Sequence, residues 1–269
     1  MDKQLKIMVI GAHPDDSEIA FGGASIFYSV LGHKVLMVSM TTGDIGHQSI
    51  DKETLASIRK KEAYRGAKIM GVKYKIMPFH DGELEPTLYY RKKLLTVIRE
   101  FSPDAIFTHS PMEYHPDHRY TNQLVIDTSY MVMVPNADPK SPPMKHNPYY
   151  FYFSSAPVDG IFNLCIPIDL IWEKKLLVLH QHKSQMYEWL PWIGGFLDKV
   201  PSDDTEKIKF LDKWRSKKDI SIANNYREWL KEKYGKNADK IRCIEAIVSA
   251  PIGRQIVSQE EIPTLFPFL

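Results

Sequence analysis

Leu5-Lys6-Ile7-Met8-Val9-Ile10-Gly11-Ala12-His13-Pro14-Asp15-Asp16-Ser17-Glu18 is a short apolar run that ends abruptly in a histidine and carboxylates. A run of this length, followed by a helix-length amphipathic segment, reads as the opening strand and crossover of an α/β fold. The pattern then recurs. Residues 35–40, 74–77 and 105–108 are the next three apolar runs, and 19–31, 53–70 and 89–101 are the helical stretches between them, the last two closed by Gly71 and before Pro103. A fourth helix should follow His118 and reach about residue 133. Right-handed crossovers place such helices on both faces of a doubly wound, mostly parallel, Rossmann-like sheet with strand order 3-2-1-4 in its first half.

Beyond this half the pattern changes. Five prolines fall between 135 and 148, a segment that reads as a lid or an edge insertion. Residues 149–154 and 164–168 are expected as strands, 169–182 as a helix, 203–234 as one or two lysine-rich helices ended by Gly235, and 243–248 as a late strand. No internal repeat or linker divides the chain, so residues 1–269 are expected to form a single α/β domain.

Composition narrows the function. Apolar residues are 43% and charged residues 25% of 269, close to ordinary soluble globular proteins. The 35 basic and 33 acidic side chains leave a formal charge of +2, which argues against nucleic acid and anionic membrane as partners and for a small molecule. Cys165 and Cys243 stand far apart in apolar contexts, as buried thiols of a reducing compartment do, and the opening apolar run is too short for a signal or anchor. A cytoplasmic protein is expected.

The turn after the first run lacks the G-x-G-x-x-G of a dinucleotide site. His13, Asp15, Asp16 and Glu18 crowd the carboxyl end of the first strand instead, the edge at which open α/β sheets bind ligands. These carboxylates could cap the next helix. The run His109-Ser110-Pro111-Met112-Glu113-Tyr114-His115-Pro116-Asp117-His118 after the fourth strand favours another role, because strands one and four are neighbours and both clusters face the same crevice. Two histidines and an aspartate with open positions form the pattern of a catalytic zinc site, and equally of an iron(II) site. Asp15 is then free to act as general base for the attacking water. One of His115 and His118 should ligate, and the other should stabilise an oxyanion as an imidazolium held by Asp117.

Ala12-His13-Pro14-Asp15-Asp16 with Glu18 and Gly22-Gly23, together with His115-Pro116-Asp117-His118, resembles the LmbE-like, or PIG-L, zinc-dependent N-deacetylases. Thr41-Thr42-Gly43-Asp44, Ile58-Arg59-Lys60-Lys61-Glu62-Ala63, Phe79-His80-Asp81-Gly82-Glu83-Leu84 and His182-Lys183-Ser184-Gln185 are similar to further segments of that family. The resemblance implies His13, Asp16 and His118 as ligands of one Zn2+ per chain, with Fe2+ or another divalent metal as the alternative. It implies Asp15 as the base, and His115 with Asp117 as the oxyanion and proton-shuttle pair. Arg59 and Asp81 would line the substrate site, the substrate would be an N-acetylglucosamine-type amino sugar, and the chain would form a homo-oligomer. Residues 186–240 find no counterpart and read as a divergent helical extension. Within them Tyr187, Trp189, Trp192 and Phe196 are either packing residues or a platform for a sugar ring, and 207–218 reads as a solvated face. The rival expectations are a metallo-hydrolase of another small amide or ester, and a metal- or nucleotide-binding module without turnover.

Overall fold

A computed structural model describes residues 3–159 and 161–269. Strands β1 (Lys6–Gly11), β2 (Lys34–Ser39), β3 (Lys73–Ile76), β4 (Ala105–Thr108), β5 (Tyr149–Ser154), β6 (Asn163–Pro167) and β7 (Ile244–Gly253) form one sheet in the order β3-β2-β1-β4-β5-β7-β6. The first five in that order pair in parallel, whereas β7 runs antiparallel to both β5 and β6. Helices α1 (Asp16–Val30), α2 (Lys52–Met70), α3 (Leu88–Phe101), α4 (Pro116–Ser129), α5 (Trp172–Leu179), α6 (Leu190–Ile193), α7 (Asp204–Asn225), α8 (Arg227–Tyr234) and α9 (Glu261–Leu265) complete the fold. Among the described residues no helix is long and apolar enough to cross a membrane.

The period-two alternation of β1 divides the core. Ile7 and Val9 join Phe21, Ala63, Phe107 and Phe151 on the α1 and α2 face, while Met8 and Ile10 join Leu94, Ile98 and Leu124 on the α3 and α4 face. Because both faces are covered, β1 is apolar throughout and not alternating, as a central parallel strand should be. Phe107 stacks between Phe21 and Phe151 at ring separations of 4.1 and 5.0 Å. Burying one such ring contributes about 1.5–3 kcal/mol.

Two boundaries differ from expectation in ways that matter for the site. α1 begins at Asp16, three residues before the expected Ile19, and α4 begins at Pro116, so that Asp117 and His118 lie in its first turn. Proline suits the first helical position because its missing N–H has no partner to lose there. The proline-rich segment is no lid. α4 carries the chain from the carboxyl end of β4 back to the amino end of the parallel strand β5, so residues 135–148 lie at the sheet edge opposite the His/Asp clusters. Arg99 anchors this region by donating to the carbonyls of Met131, Val132, Val134, Asp138 and Ser141.

α1 is broken at Phe21, whose φ of −144° leaves the helical region. The break exposes the N–H groups of Gly23 and Ala24, and the Glu245 carboxylate of β7 accepts both, at 2.7 and 2.8 Å. Lys175 of α5 pairs with the same carboxylate at 2.7 Å and donates to the carbonyl of Ile19 at 2.9 Å, so one buried ion pair closes both sides of the break. A Cβ on Gly23 would stand 2.7 Å from Ile168 and 3.0 Å from the Glu245 carboxylate, which accounts for glycine here. Lys175→Met strands the carboxylate, and a loss of about 3–5 kcal/mol is expected in urea unfolding. An unchanged midpoint would show that the pair does not hold the break.

Candidate metal and catalytic site

The crevice forms where the β1–α1 and β4–α4 connections leave the sheet to opposite faces. Gly11 ends β1 without a side chain, and a Cβ there would meet the Asp16 Cβ at 2.8 Å. The turn that follows aims its carboxylates inward and does not cap α1. Asp16 Oδ2 accepts the His13 N–H at 2.7 Å, Glu18 pairs with His182 at 3.0 Å, and Asp15 makes no capping bond. Asp15 also holds a φ of 135°, a region unfavourable to any residue with a side chain. Such strain costs on the order of 1–3 kcal/mol and persists only where its surroundings enforce it.

Arg59 is that enforcement. Buried on α2, it donates to the Asp15 carboxylate at 3.1 Å, to the Pro14 carbonyl at 2.8 Å and to the Gly43 carbonyl at 3.0 Å. Gly43, at φ 65°, leaves room for it, since a Cβ would lie 2.5 Å from the guanidinium. Expected as a substrate contact, Arg59 is 3% exposed between α2 and the two turns; Nη1 and Nη2 make these three bonds, and Nε has no partner among the described residues.

Asp16 lies between two imidazoles, 3.3 Å from His13 Nδ1 and 3.4 Å from His118 Nε2. His109, quoted in the sequence run but given no role, is 3.2 Å from the same carboxylate and accepts the Ala12 N–H at 3.0 Å. Its position directly after β4 was the available signal. On the far side of His13, Nε2 is 3.0 Å from Asp81 and 3.3 Å from Asp117. Three sets of donor atoms gather within 4.8 Å: His13 with His115 and His118, Asp16 with His109 and His118, and His13 with Asp81 and Asp117. None of the three sets is the expected one of His13, Asp16 and His118, which are linked in pairs, each histidine lying beside the Asp16 carboxylate.

Two assignments differ from expectation. Asp117 does not hold His115: its Oδ2 accepts the Gly82 N–H at 2.7 Å and faces His13, as Asp81 does. Both carboxylates orient a histidine, and Asp81 is thus no free substrate contact. His115 is the residue preceding α4, and its Nδ1 accepts the Asp117 backbone N–H at 3.2 Å. A ring nitrogen that accepts carries no proton, so His115 is a neutral imidazole with its proton on Nε2. Burial depresses it, and the charges of His13 and His118 depress it further.

The electrostatics answer to this crowding. Burial would lower His13, but its bonds to Asp117, Asp16 and Asp81 outweigh that and hold it well above the usual imidazole range. Burial opposes charge on His118 too, yet Asp16 pushes it up to about 9. Asp15 is raised to about 6, chiefly by burial and also by Asp16, against the pull of Arg59. Four aspartates and four histidines in one crevice, with nitrogen and carboxylate donors, suit a divalent cation. Asp117 Oδ1 and His118 Nδ1, both buried, have no hydrogen-bond partner among the described residues.

A model of the PIG-L family, described as GlcNAc-PI de-N-acetylase, matches residues 8–129. A diacetylchitobiose deacetylase of Thermococcus kodakarensis is 31% identical over 200 residues, 70% of this chain and 73% of that protein. The chain belongs to the PIG-L family. A probable N-acetyl-alpha-D-glucosaminyl L-malate deacetylase 2 of Bacillus cereus is also 31% identical, over 76% of this chain and 93% of its own. Among solved structures, the N,N'-diacetylchitobiose deacetylase of Pyrococcus horikoshii superposes with a TM-score of 0.69 at 28% identity, covering 91% of this chain and 84% of that one. A 4-carboxy-2-hydroxymuconate hydratase of Pseudomonas putida has a TM-score of 0.71 at 16% identity, over 95% of this chain and 100% of that one. That likeness shows the fold alone and indicates that the sheet by itself does not choose the reaction.

The remaining family-like segments of the chain brace this site. Glu62 accepts from the N–H and hydroxyl of Ser184, Gln185 donates to the Gly46 carbonyl, and Asp44 takes the Asp81 N–H and His80 Nδ1. Wild-type protein purified without added metal is expected to carry one divalent ion per chain, and His13→Ala to lose it in elemental analysis. Because carboxylates hold His13 and His118 above the usual imidazole range, metal uptake by stripped protein should release protons into weakly buffered solution. Full metal content in His13→Ala would overturn the ligand set.

Proposed function

We propose that this chain is a zinc-dependent deacetylase that hydrolyses the acetamide of an N-acetylglucosamine-type amino sugar. The observation that carries the reading is the strained, Arg59-clamped Asp15 standing beside three adjacent donors: a carboxylate held out of its relaxed conformation next to a metal set that does not need it. His13, Asp16 and His118 would hold the ion. Bound there, it would polarise the acyl oxygen and lower the pKa of a water.

The chain's own groups do the rest. Asp15 takes a proton from the attacking water as its oxygen adds to the acyl carbon. His115 donates its Nε2–H to the oxygen on which negative charge develops. The C–N bond then breaks, the proton held by Asp15 passes to the departing amine, and acetate and free amine are the products. Asp81 and Asp117 keep His13 in its orientation throughout. A purely structural metal site would have no use for Asp15 or its strain.

Acetate release from N-acetylglucosamine and its conjugates, with simple esters and other amides in parallel, tests the reading. Release from the amino sugars that is abolished by a chelator and restored by zinc is expected. Turnover of esters or unrelated amides alone would replace it with a different metallo-hydrolase, and no turnover of any would leave a binding module.

A further inference from the structure

The cavity that opens on Asp16, His109 and His118 has a volume of about 570 Å³, far more than an acetyl group needs, and it runs on to α7. The inward stripe of α7 is Leu211, Arg215, Asp219 and Ala223, spaced by four residues so that all share one face. Two charged residues thus occupy the middle of a buried stripe. At Arg215, only 7% exposed, this differs from the solvated face expected of 207–218, and Asp219, just beyond that stretch, is only 4% exposed.

Neither side chain has a hydrogen bond or an ion pair among the described residues, and Arg215 Nε and Asp219 Oδ2 are sealed from solvent with no partner. One turn apart, they could meet, yet they do not pair. A guanidinium and a carboxylate left open at the wall of a cavity are expensive unless a ligand completes them. Both line the cavity that is also lined by Asp16, His109 and His118.

We infer that Arg215 and Asp219 form a subsite for the part of the substrate beyond the acetylated sugar, and that this part is an uncharged, hydroxyl-rich ring. The inference rests on the reading of the site as an amino-sugar deacetylase. Arg215 supplies only donors and Asp219 only acceptors, and a hydroxyl group is both, so neighbouring hydroxyls satisfy the two together. An anion would complete Arg215 but leave Asp219 unpaired beside a like charge. Lys218, exposed, also lines the cavity, so an anion held by Arg215 and Lys218 is the competing occupant that the phosphate probe tests.

The test uses metal-loaded enzyme, Arg215→Met and Asp219→Asn, with N-acetylglucosamine, N,N'-diacetylchitobiose and N-acetylglucosamine 1-phosphate as probes. Both variants should lose about tenfold to hundredfold in kcat/KM for the disaccharide, the scale of hydrogen bonds to charged groups, and change less than about threefold for the monosaccharide. Arg215→Met removes an unpaired buried charge, so its Tm should stay or rise. Calorimetric binding of the three sugars is measured alongside. If no acetate is released from any of them, the deacetylase reading fails, while disaccharide binding that both variants weaken still supports the subsite. Equal losses on monosaccharide and disaccharide, or unchanged disaccharide binding, overturn the subsite. Tighter binding of the phosphate that depends on Arg215 but improves in Asp219→Asn overturns the uncharged ring.

Discussion

Asp15→Asn is expected to keep its metal and to lose about 10²-fold or more in kcat, the usual scale for removing a general base. Asparagine is nearly isosteric and its carbonyl oxygen can still accept from Arg59, so the turn and the strained φ of 135° should survive. Only the capacity to take a proton is lost. The alternative explanation of any loss, a collapsed ligand set, is excluded by metal content measured on the same sample. The acidic limb of kcat/KM reports the carboxylate. Burial and Asp16 raise Asp15 to about 6, and Arg59 opposes them. Removing that opposing cation disfavours the carboxylate, so Arg59→Met should move the acidic limb to higher pH. A limb that stays in place in Arg59→Met, or near-normal turnover in Asp15→Asn, would assign the base to another group.

The second large effect separates His115 from His118. His118→Ala should lose metal first and activity as a consequence, because its Nε2 faces Asp16 within the donor cluster. His115→Ala should retain metal and lose roughly 10²–10³ in kcat, as for one oxyanion-hole donor. His115 Nδ1 accepts the Asp117 N–H, so its proton sits on Nε2 and the ring donates while neutral. Two further results follow from that tautomer. His115→Gln, whose amide nitrogen lies near the place of Nε2, should recover more activity than His115→Asn. The alkaline limb of the pH profile should be the same in His115→Ala as in wild type, since no imidazolium is lost. His115 also lies within reach of His13 and His118 as a donor. Metal loss in His115→Ala with retention in His118→Ala would therefore exchange the two roles.

Much of this was legible in the chain. The apolar run 5–10 was long enough for a strand and too short for anything else, and its repetition with helical segments between implied the order 3-2-1-4 that β3, β2, β1 and β4 adopt. His13, Asp16 and His118 could be brought together on paper because parallel topology puts the ends of adjacent strands at one edge. Local chemistry and chain direction suffice for such inferences. Position along the chain also suggested Asp15 as spare, since a metal held by two histidines and an aspartate does not need a fourth protein ligand.

What the sequence did not carry were relations across the fold. Nothing near residue 59 says that Arg59 bonds to Asp15 and to two carbonyls 16 and 45 positions away. Nothing near residue 117 says that Asp117 turns from His115 toward His13, 104 positions distant. The proline-rich segment could not be located at either edge until the direction of β5 was known, and a parallel β5 sends it away from the site. Arg215 sits in a lysine-rich stretch that reads as solvated, Asp219 directly after it, and only the packing of α7 against the cavity turns their face inward. Sequence by itself determined the elements and brought candidate donors to one edge of the sheet, because strand patterns, turns and chain direction depend on neighbouring residues. Tertiary structure alone decided which charge each buried group answers to, because that depends on contacts between residues the chain holds far apart.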